Sequence, residues 1–167
     1  MGVDIYKHID FDNYTLNFES NLIESRIEDF EIDKKFDLIL SITSLEHIEN
    51  DVLTVCKCDD ILKTGGIQIY VIPSFWSLFI HLWHGYRQYN PKRIKILFNE
   101  KKYKVYRLGG IFSFFLILLF ISIPNLLFSR ILQHSSVYPK LIEKCNRLDK
   151  SLPFCSHLYV VVVKKSI

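Results

Sequence analysis

Phe36-Asp37-Leu38-Ile39-Leu40-Ser41-Ile42 and Ile67-Gln68-Ile69-Tyr70-Val71-Ile72 decide the fold, together with what lies between them. Both are continuous apolar runs of the length of a strand buried in a parallel sheet. Between them Val52, Leu53, Val55, Ile61 and Leu62 read as one helix face, with Asn50 or Asp51 placed to cap it. Gly65-Gly66 is expected to stop that helix, and Pro73-Ser74 to close the second strand. Strand, helix, strand is a βαβ unit, and its crossover is expected to be right-handed.

Outward from this unit the pattern stays α/β. Towards the C-terminus, residues 91–98 predict a helix with Pro91 in its first turn, and Lys104–Arg107 a strand. Residues 111–128 are apolar and uncharged, residues 139–149 predict a mixed helix, and Leu158–Val163 is the strongest strand signal in the chain. Towards the N-terminus, Val3-Asp4-Ile5 reads as the tail of a strand, Leu22–Ile27 as a short strand, and residues 12–20 as loop with a helical turn.

The 167 residues make one domain, 1–167, with residues 108–132 as an apolar helical insertion before the last strand. A composition 49% hydrophobic and 23% charged excludes a disordered or collagen-like chain. Met1–Ile5 has neither a charged n-region nor an apolar h-region, so a reducing, cytoplasmic setting is expected for the four cysteines. Cys56 and Cys58 fall within the predicted helix, where residues two apart point to different faces, so a shared metal or disulfide is not expected.

The net charge of +3 conceals a division. Residues 1–60 carry 5 Lys/Arg against 15 Asp/Glu, and residues 61–167 carry 16 against 3. The basic part also holds the apolar segment, which suits an anionic membrane surface or a lipid-linked phosphate better than nucleic acid.

Phe36–Ser41, Leu45-Glu46-His47-Ile48, Ile61-Leu62-Lys63-Thr64-Gly65-Gly66 and Val71-Ile72-Pro73 together resemble the middle of the class I S-adenosylmethionine-dependent methyltransferases. Thr64 stands where that family often has proline. His84-Gly85-Tyr86-Arg87-Gln88-Tyr89 is similar to the family's substrate loop, with Gln88 a departure. The resemblance runs from about Gly2 to Val163 and implies a Rossmann-like sheet in the order 3-2-1-4-5-7-6. The family's opening strand and its G-x-G-x-G turn have no counterpart among Gly2, Gly65, Gly66, Gly85, Gly109 and Gly110. The expectation is therefore an N-terminally truncated domain. Strands 4-5-7-6 would be retained, strands 2 and 3 would be vestigial and detached, and Phe36–Ile42 would become a sheet edge.

The resemblance implies S-adenosylmethionine as cofactor. Asp4 would accept from the ribose hydroxyls, Glu28 and Asp29 would sit beside the adenine, Ser41 to Ser44 would line the far side of the cofactor, and Leu45-Glu46-His47 would lie beside the methyl-transfer point. Asp4 also has a plain reading as a solvated acid near a terminus, and Glu28-Asp29 as a surface charge run in an acidic segment. His47 lies beside the expected transfer point and would serve as general base towards a hydroxyl acceptor, imidazole exchanging protons near neutrality. The alternative is a histidine packed under the following helix.

His84, Tyr86, Arg87 and Tyr89 follow the fifth strand of the family, where α/β proteins place substrate loops. Arg87 would clamp a phosphate or carboxylate, or else stack on the rim. His81 and His84 lack a third ligand at metal-binding spacing, so no metal is expected.

Ile111–Phe128 as a helix is ~27 Å long, just short of a bilayer core. A single crossing would separate Lys104–Arg107 from Leu158–Val163, strands that pair in the family's sheet. A helix lying in the membrane interface, or a shallow hairpin broken near Pro124-Asn125 and dipping into one leaflet, is therefore preferred to a span, and a cover over the sheet is the alternative. The eight Lys/Arg from Arg87 to Arg107, against Glu100 alone, would suit anionic headgroups.

These readings lead to methyl transfer from S-adenosylmethionine, impaired in this form, to a small molecule, sugar or lipid-linked glycan at the cytoplasmic face of a membrane. The alternative is a non-catalytic, membrane-associated binding module. A single-span protein with an unrelated head is a third reading.

Overall fold

The computed structural model describes residues 1–5, 21–81, 85–99, 101–129 and 135–166. The strand–helix–strand unit forms, but the helix face differs from the one expected: Val55 is buried, Val52 and Leu53 are exposed, and Ile61 and Leu62 lie beyond the helix. Strand β3 (Phe36–Ile42) runs parallel to β4 (Leu62–Pro73), and helix α1 (Asp51–Asp60) connects them. The Asn50 side chain caps α1 by accepting from the Leu53 N–H at 3.1 Å, satisfying one of the donors a helix start leaves open.

Gly65-Gly66 does not stop the helix, which ends at Asp60 with the Ile61 N–H on the Lys57 carbonyl. The glycines lie within β4. Phe36 opposes Leu62 while Leu38 opposes Ile67, so the residues between must bulge out of register. Gly65 takes φ +78°, a conformation a side chain resists, and the Lys165 and Gly66 backbones close the bulge at 3.1 Å.

The remaining elements follow in order. Short α2 (Ser77–His81) and α3 (Pro91–Leu97) precede β5 (Lys102–Leu108). Then come α4 (Ile111–Ile117), a π-helical turn (Leu118–Ser122), α5 (Ile123–Phe128), α6 (Tyr138–Asp149) and β6 (Leu158–Lys164). The four-stranded sheet has the order β3-β4-β6-β5, with β6 antiparallel to both neighbours. This is the 4-5-7-6 arrangement implied by the resemblance.

At the N-terminus β1 (Gly2–Asp4) and β2 (Leu22–Glu24) pair parallel as a separate two-stranded sheet, so β3 forms an edge of the larger one. The loop expected over residues 12–20 lies outside the described residues.

The core forms on one face of the larger sheet. Tyr70 and Ile72 of β4 and Tyr159, Val161 and Val163 of β6 pack against Val55 of α1 and against Ile94, Leu97 and Phe98 at α3. The alternate residues of β3 point the other way, so Leu38, Leu40 and Ile42 are exposed. A second cluster, Ile80, Phe114 and Cys155 with Trp76, seats α4 on the domain. Cys56 is exposed and Cys58 buried, so the two thiols point apart as expected.

Candidate functional site

The carboxyl ends of parallel strands gather the backbone turns that leave a sheet, and ligands of open α/β sheets bind there. Here β1, β2 and β3 end around one cleft of about 570 Å³. Asp4 and Ile5 come from the end of β1, Ser25, Arg26 and Glu28 from the turn after β2, and Thr43, Ser44 and His47 from the turn after β3. Tyr86 enters from the loop after α2.

The turn after β3 is bent sharply. Thr43 takes φ +45°, which a β-branched residue rarely adopts, while its N–H still reaches the Val71 carbonyl at 2.9 Å. A 3₁₀ turn, Leu45–His47, follows at once. It buries Leu45 and Glu46 beneath the sheet end and leaves His47 exposed on the cleft.

The cleft is acidic. Asp4, Glu28 and Glu49 line it, against Arg26, whose guanidinium sits 3.6 Å from Glu28. Carboxylates accept hydrogen bonds and favour positive charge nearby. A ligand offering hydroxyl donors and a cationic centre matches this lining, and Asp4, Glu28, Ser44 and His47 are the residues able to hold it. Among the described residues no cluster of His, Cys, Asp and Glu is arranged to hold a metal ion.

Beside the cleft, the loop after α2 is fixed by a buried ionic knot. Asp51, 1% exposed at the start of α1, receives the Arg87 guanidinium at 2.9 Å and the Arg93 guanidinium at 2.5 Å. Arg87 also donates to the Glu49 carbonyl, and the Tyr89 hydroxyl lies 3.3 Å from the Asp51 carboxylate. Burial, with that carboxylate close by, pushes the Tyr89 phenol well above its ordinary pKa. Two backbone ties complete the arrangement, Tyr86 N–H to the Glu46 carbonyl at 2.7 Å and Tyr89 N–H to the Pro73 carbonyl at 2.8 Å.

Of the residues singled out in the sequence, Asp4, Glu28, His47 and Tyr86 come together at the cleft. The structure places several others elsewhere. Leu45 and Tyr89 are fully buried core residues, so their side chains have no access to a ligand in the cleft. Arg87 is engaged by Asp51 and Glu49, which makes it a brace for the loop and not a ready anion clamp. Asp29 is exposed on the turn after β2 and does not line the cleft. Ser41 lines a neighbouring hollow of about 360 Å³ between β1 and β3, with Val3, Ile39 and Tyr70. His84 lies outside the described residues. Arg26 and Glu49 were not foreseen, because nothing in their local spacing separates them from the surrounding charges.

The comparisons agree with this geometry. Residues 1–70 match the family model described as a methyltransferase domain. No curated protein matches the chain. Among solved structures, a SAM-dependent methyltransferase from Archaeoglobus fulgidus is similar with a TM-score of 0.60 at 18% identity, over 98% of this chain and 75% of that one. The plantazolicin methyltransferase BpumL, solved with SAH, gives 0.58 at 13% identity, over 99% of this chain and 66% of that one. The phosphoethanolamine N-methyltransferase 2 of Haemonchus contortus gives 0.51 at 14% identity, over 85% of this chain and 36% of that one.

Residues 1–70 thus match a methyltransferase-domain model, and the chain as a whole shares the fold of S-adenosylmethionine-dependent methyltransferases. S-adenosylmethionine is the cofactor of that class.

Proposed function

We propose that the cleft binds S-adenosylmethionine and that the domain serves methyl transfer to a small-molecule acceptor, a sugar hydroxyl or a lipid-linked glycan at a membrane surface. The observation that carries this reading is the convergence of Asp4, Glu28, Ser44 and His47 on one acidic cleft at the carboxyl ends of three strands. The bound cofactor would supply an electrophilic methyl group on a cationic sulfur. Asp4 would accept from its ribose hydroxyls, Glu28 would face the adenine end, and the carboxylates together would favour the positive charge. His47, exposed on the cleft, would take the proton from an acceptor hydroxyl. Tyr86, held by its backbone bond to Glu46, would bound the acceptor side.

One feature tempers the affinity expected. The 167 residues contain no G-x-G-x-G turn, so the close backbone approach and N–H donors of such a turn are not supplied by this chain. That favours weak binding and supports, as a second reading, a domain that binds without catalysis.

Titration calorimetry with S-adenosylmethionine and its demethylated product tests the first reading. We expect binding in the high micromolar to millimolar range, weakened about tenfold by Asp4→Ala, corresponding to ~1.4 kcal/mol. His47→Ala should leave binding unchanged and abolish transfer to a hydroxyl acceptor. Unchanged affinity in Asp4→Ala would overturn the cofactor assignment. Binding without transfer by the wild-type chain to any hydroxyl, amine or glycan acceptor would favour the second reading.

A further inference from the structure

A helix that covers a sheet in water buries one face and shows polar side chains on the other. The 18-residue stretch Ile111–Phe128 does only the first. Its inner side is secured to the domain. Phe114 packs with Ile80, Trp76 and Cys155, and the Ser122 hydroxyl donates to the Ile80 carbonyl at 2.7 Å. At its start, the buried Asp149 carboxylate at the end of α6 accepts from the N–H groups of Phe112 and Ser113 at 2.9 and 3.0 Å. Its outer side is Phe112, Phe115, Leu119, Ile123, Leu126 and Phe128, all exposed, the last 70% so. Phe112, Phe115, Leu119, Ile123 and Leu126 recur at helical spacing, Phe128 adds to them at the last turn, and no charged residue interrupts the segment.

The neighbouring helix supplies the opposite chemistry. The Phe120 ring lies 5.7 Å from that of Tyr138, at the start of α6, while Asp149 at its far end meets Ser113. The two helices therefore run antiparallel, side by side. Lys140, Lys144 and Arg147 lie at i, i+4 and i+7 of α6 and are exposed, as is Lys150 beyond it. Glu143 is the one exposed acid on this helix and is already paired with Arg147. Exposed Phe75, Phe79 and Phe154 extend the apolar ground around Trp76, and Phe75 is bonded through its N–H to Tyr89 of the loop that ends on the cleft.

We propose that the outer faces of Ile111–Phe128 and α6 form a docking surface for an anionic phospholipid bilayer, with the apolar stripe lying in the interface and the basic stripe against the headgroups. This deepens the membrane-surface location proposed above and rests on it, but on no step of the methyl transfer. An apolar ridge beside a basic stripe is complementary to such a surface, whereas a second copy of the chain would bring like charges together. The helix lies along the surface and does not cross it. Crossing would break the Asp149 cap and the Ser122 anchor, and β5 and β6 on either side of the segment pair in one sheet.

The test is sedimentation of the full chain with vesicles, without cofactor. Vesicles of phosphatidylcholine with about a third phosphatidylglycerol should retain the protein at least tenfold better than phosphatidylcholine alone. Leu119→Asp with Leu126→Asp, both at exposed positions, should keep the circular dichroism of the parent and lose at least tenfold in binding. Lys144→Glu with Arg147→Glu should remove the preference for anionic vesicles. Bound protein should be released by alkaline carbonate.

No binding by folded protein, binding unaffected by the aspartates, or resistance to carbonate would overturn the proposal. So would a dimer in solution that forms through this face and is undisturbed by vesicles. Cofactor titration is a separate readout, so failure here leaves the methyl-transfer reading standing and the reverse holds too.

Discussion

β3 and β6 are two apolar strands of seven residues each, yet they live in different surroundings. β6 lies between β4 and β5, and Val161 and Val163 are fully buried against α1 and α3. Among the described residues β3 has a strand on one side only, and Leu38, Leu40 and Ile42 are more than half exposed. Apolar content alone does not bury a strand. Neighbours do, and β3 lacks one where β6 has two. The cleft lies on the β3 side, between the larger sheet and the β1–β2 pair, so the edge of the sheet is also the part that carries the candidate chemistry.

The sharpest way to break this contrast is the same substitution on both strands. Val161→Asp places a carboxylate where nothing pairs with it and should cost about 4 kcal/mol or more, measured by urea unfolding. Leu40→Asp on the exposed side of β3 should cost less than ~1 kcal/mol. Comparable losses at the two positions would mean that the open face of β3 is covered.

Asp51→Asn comes next in size. It leaves Arg87 and Arg93 beside a neutral amide in a buried setting, and a loss of about 3 kcal/mol is expected in the same assay. The affinity for an acceptor should fall with it, since Arg87 braces the loop that carries Tyr86.

A smaller effect separates the core side from the cleft side by pH. Burial raises the Tyr70 phenol above its ordinary pKa, as it does that of Tyr89. A raised folded-state pKa stabilises the fold below the unfolded value near pH 10 and loses that stabilisation as pH climbs towards the folded value. Stability should therefore decline from about pH 10 upward. Tyr70→Phe should flatten that alkaline limb while losing the phenol's bond to Gln68, which is 2.5 Å long.

What the sequence disclosed follows from range. The strands over residues 36–42 and 158–163, the Asn50 cap and the helix at Pro91 depend on local pattern, and all four stand in the structure. Gly65-Gly66 misled because a glycine pair signals a helix stop and a strand bulge equally well, and only the β3 register distinguishes them.

Within the candidate site, Asp4, Glu28 and His47 line the cleft from the end of β1 and the turns after β2 and β3, positions that local pattern does indicate. The places of Arg87 and Tyr89 are not so indicated, because their partner Asp51 lies more than thirty positions away and captures both. Burial of Leu45 likewise depends on the sheet end it packs beneath, which no local motif displays.

Methyl transfer by this domain requires that the cleft at the ends of β1, β2 and β3 be the cofactor site. Backbone amide NMR of the isotopically labelled chain, titrated with S-adenosylhomocysteine to millimolar concentration, tests this directly. Saturable shifts centred on Asp4–Ile5, Ser25–Glu28 and Thr43–His47 are predicted, with β5 and α6 unmoved. Shifts confined to other surfaces, or none at all from a folded chain, would contradict it.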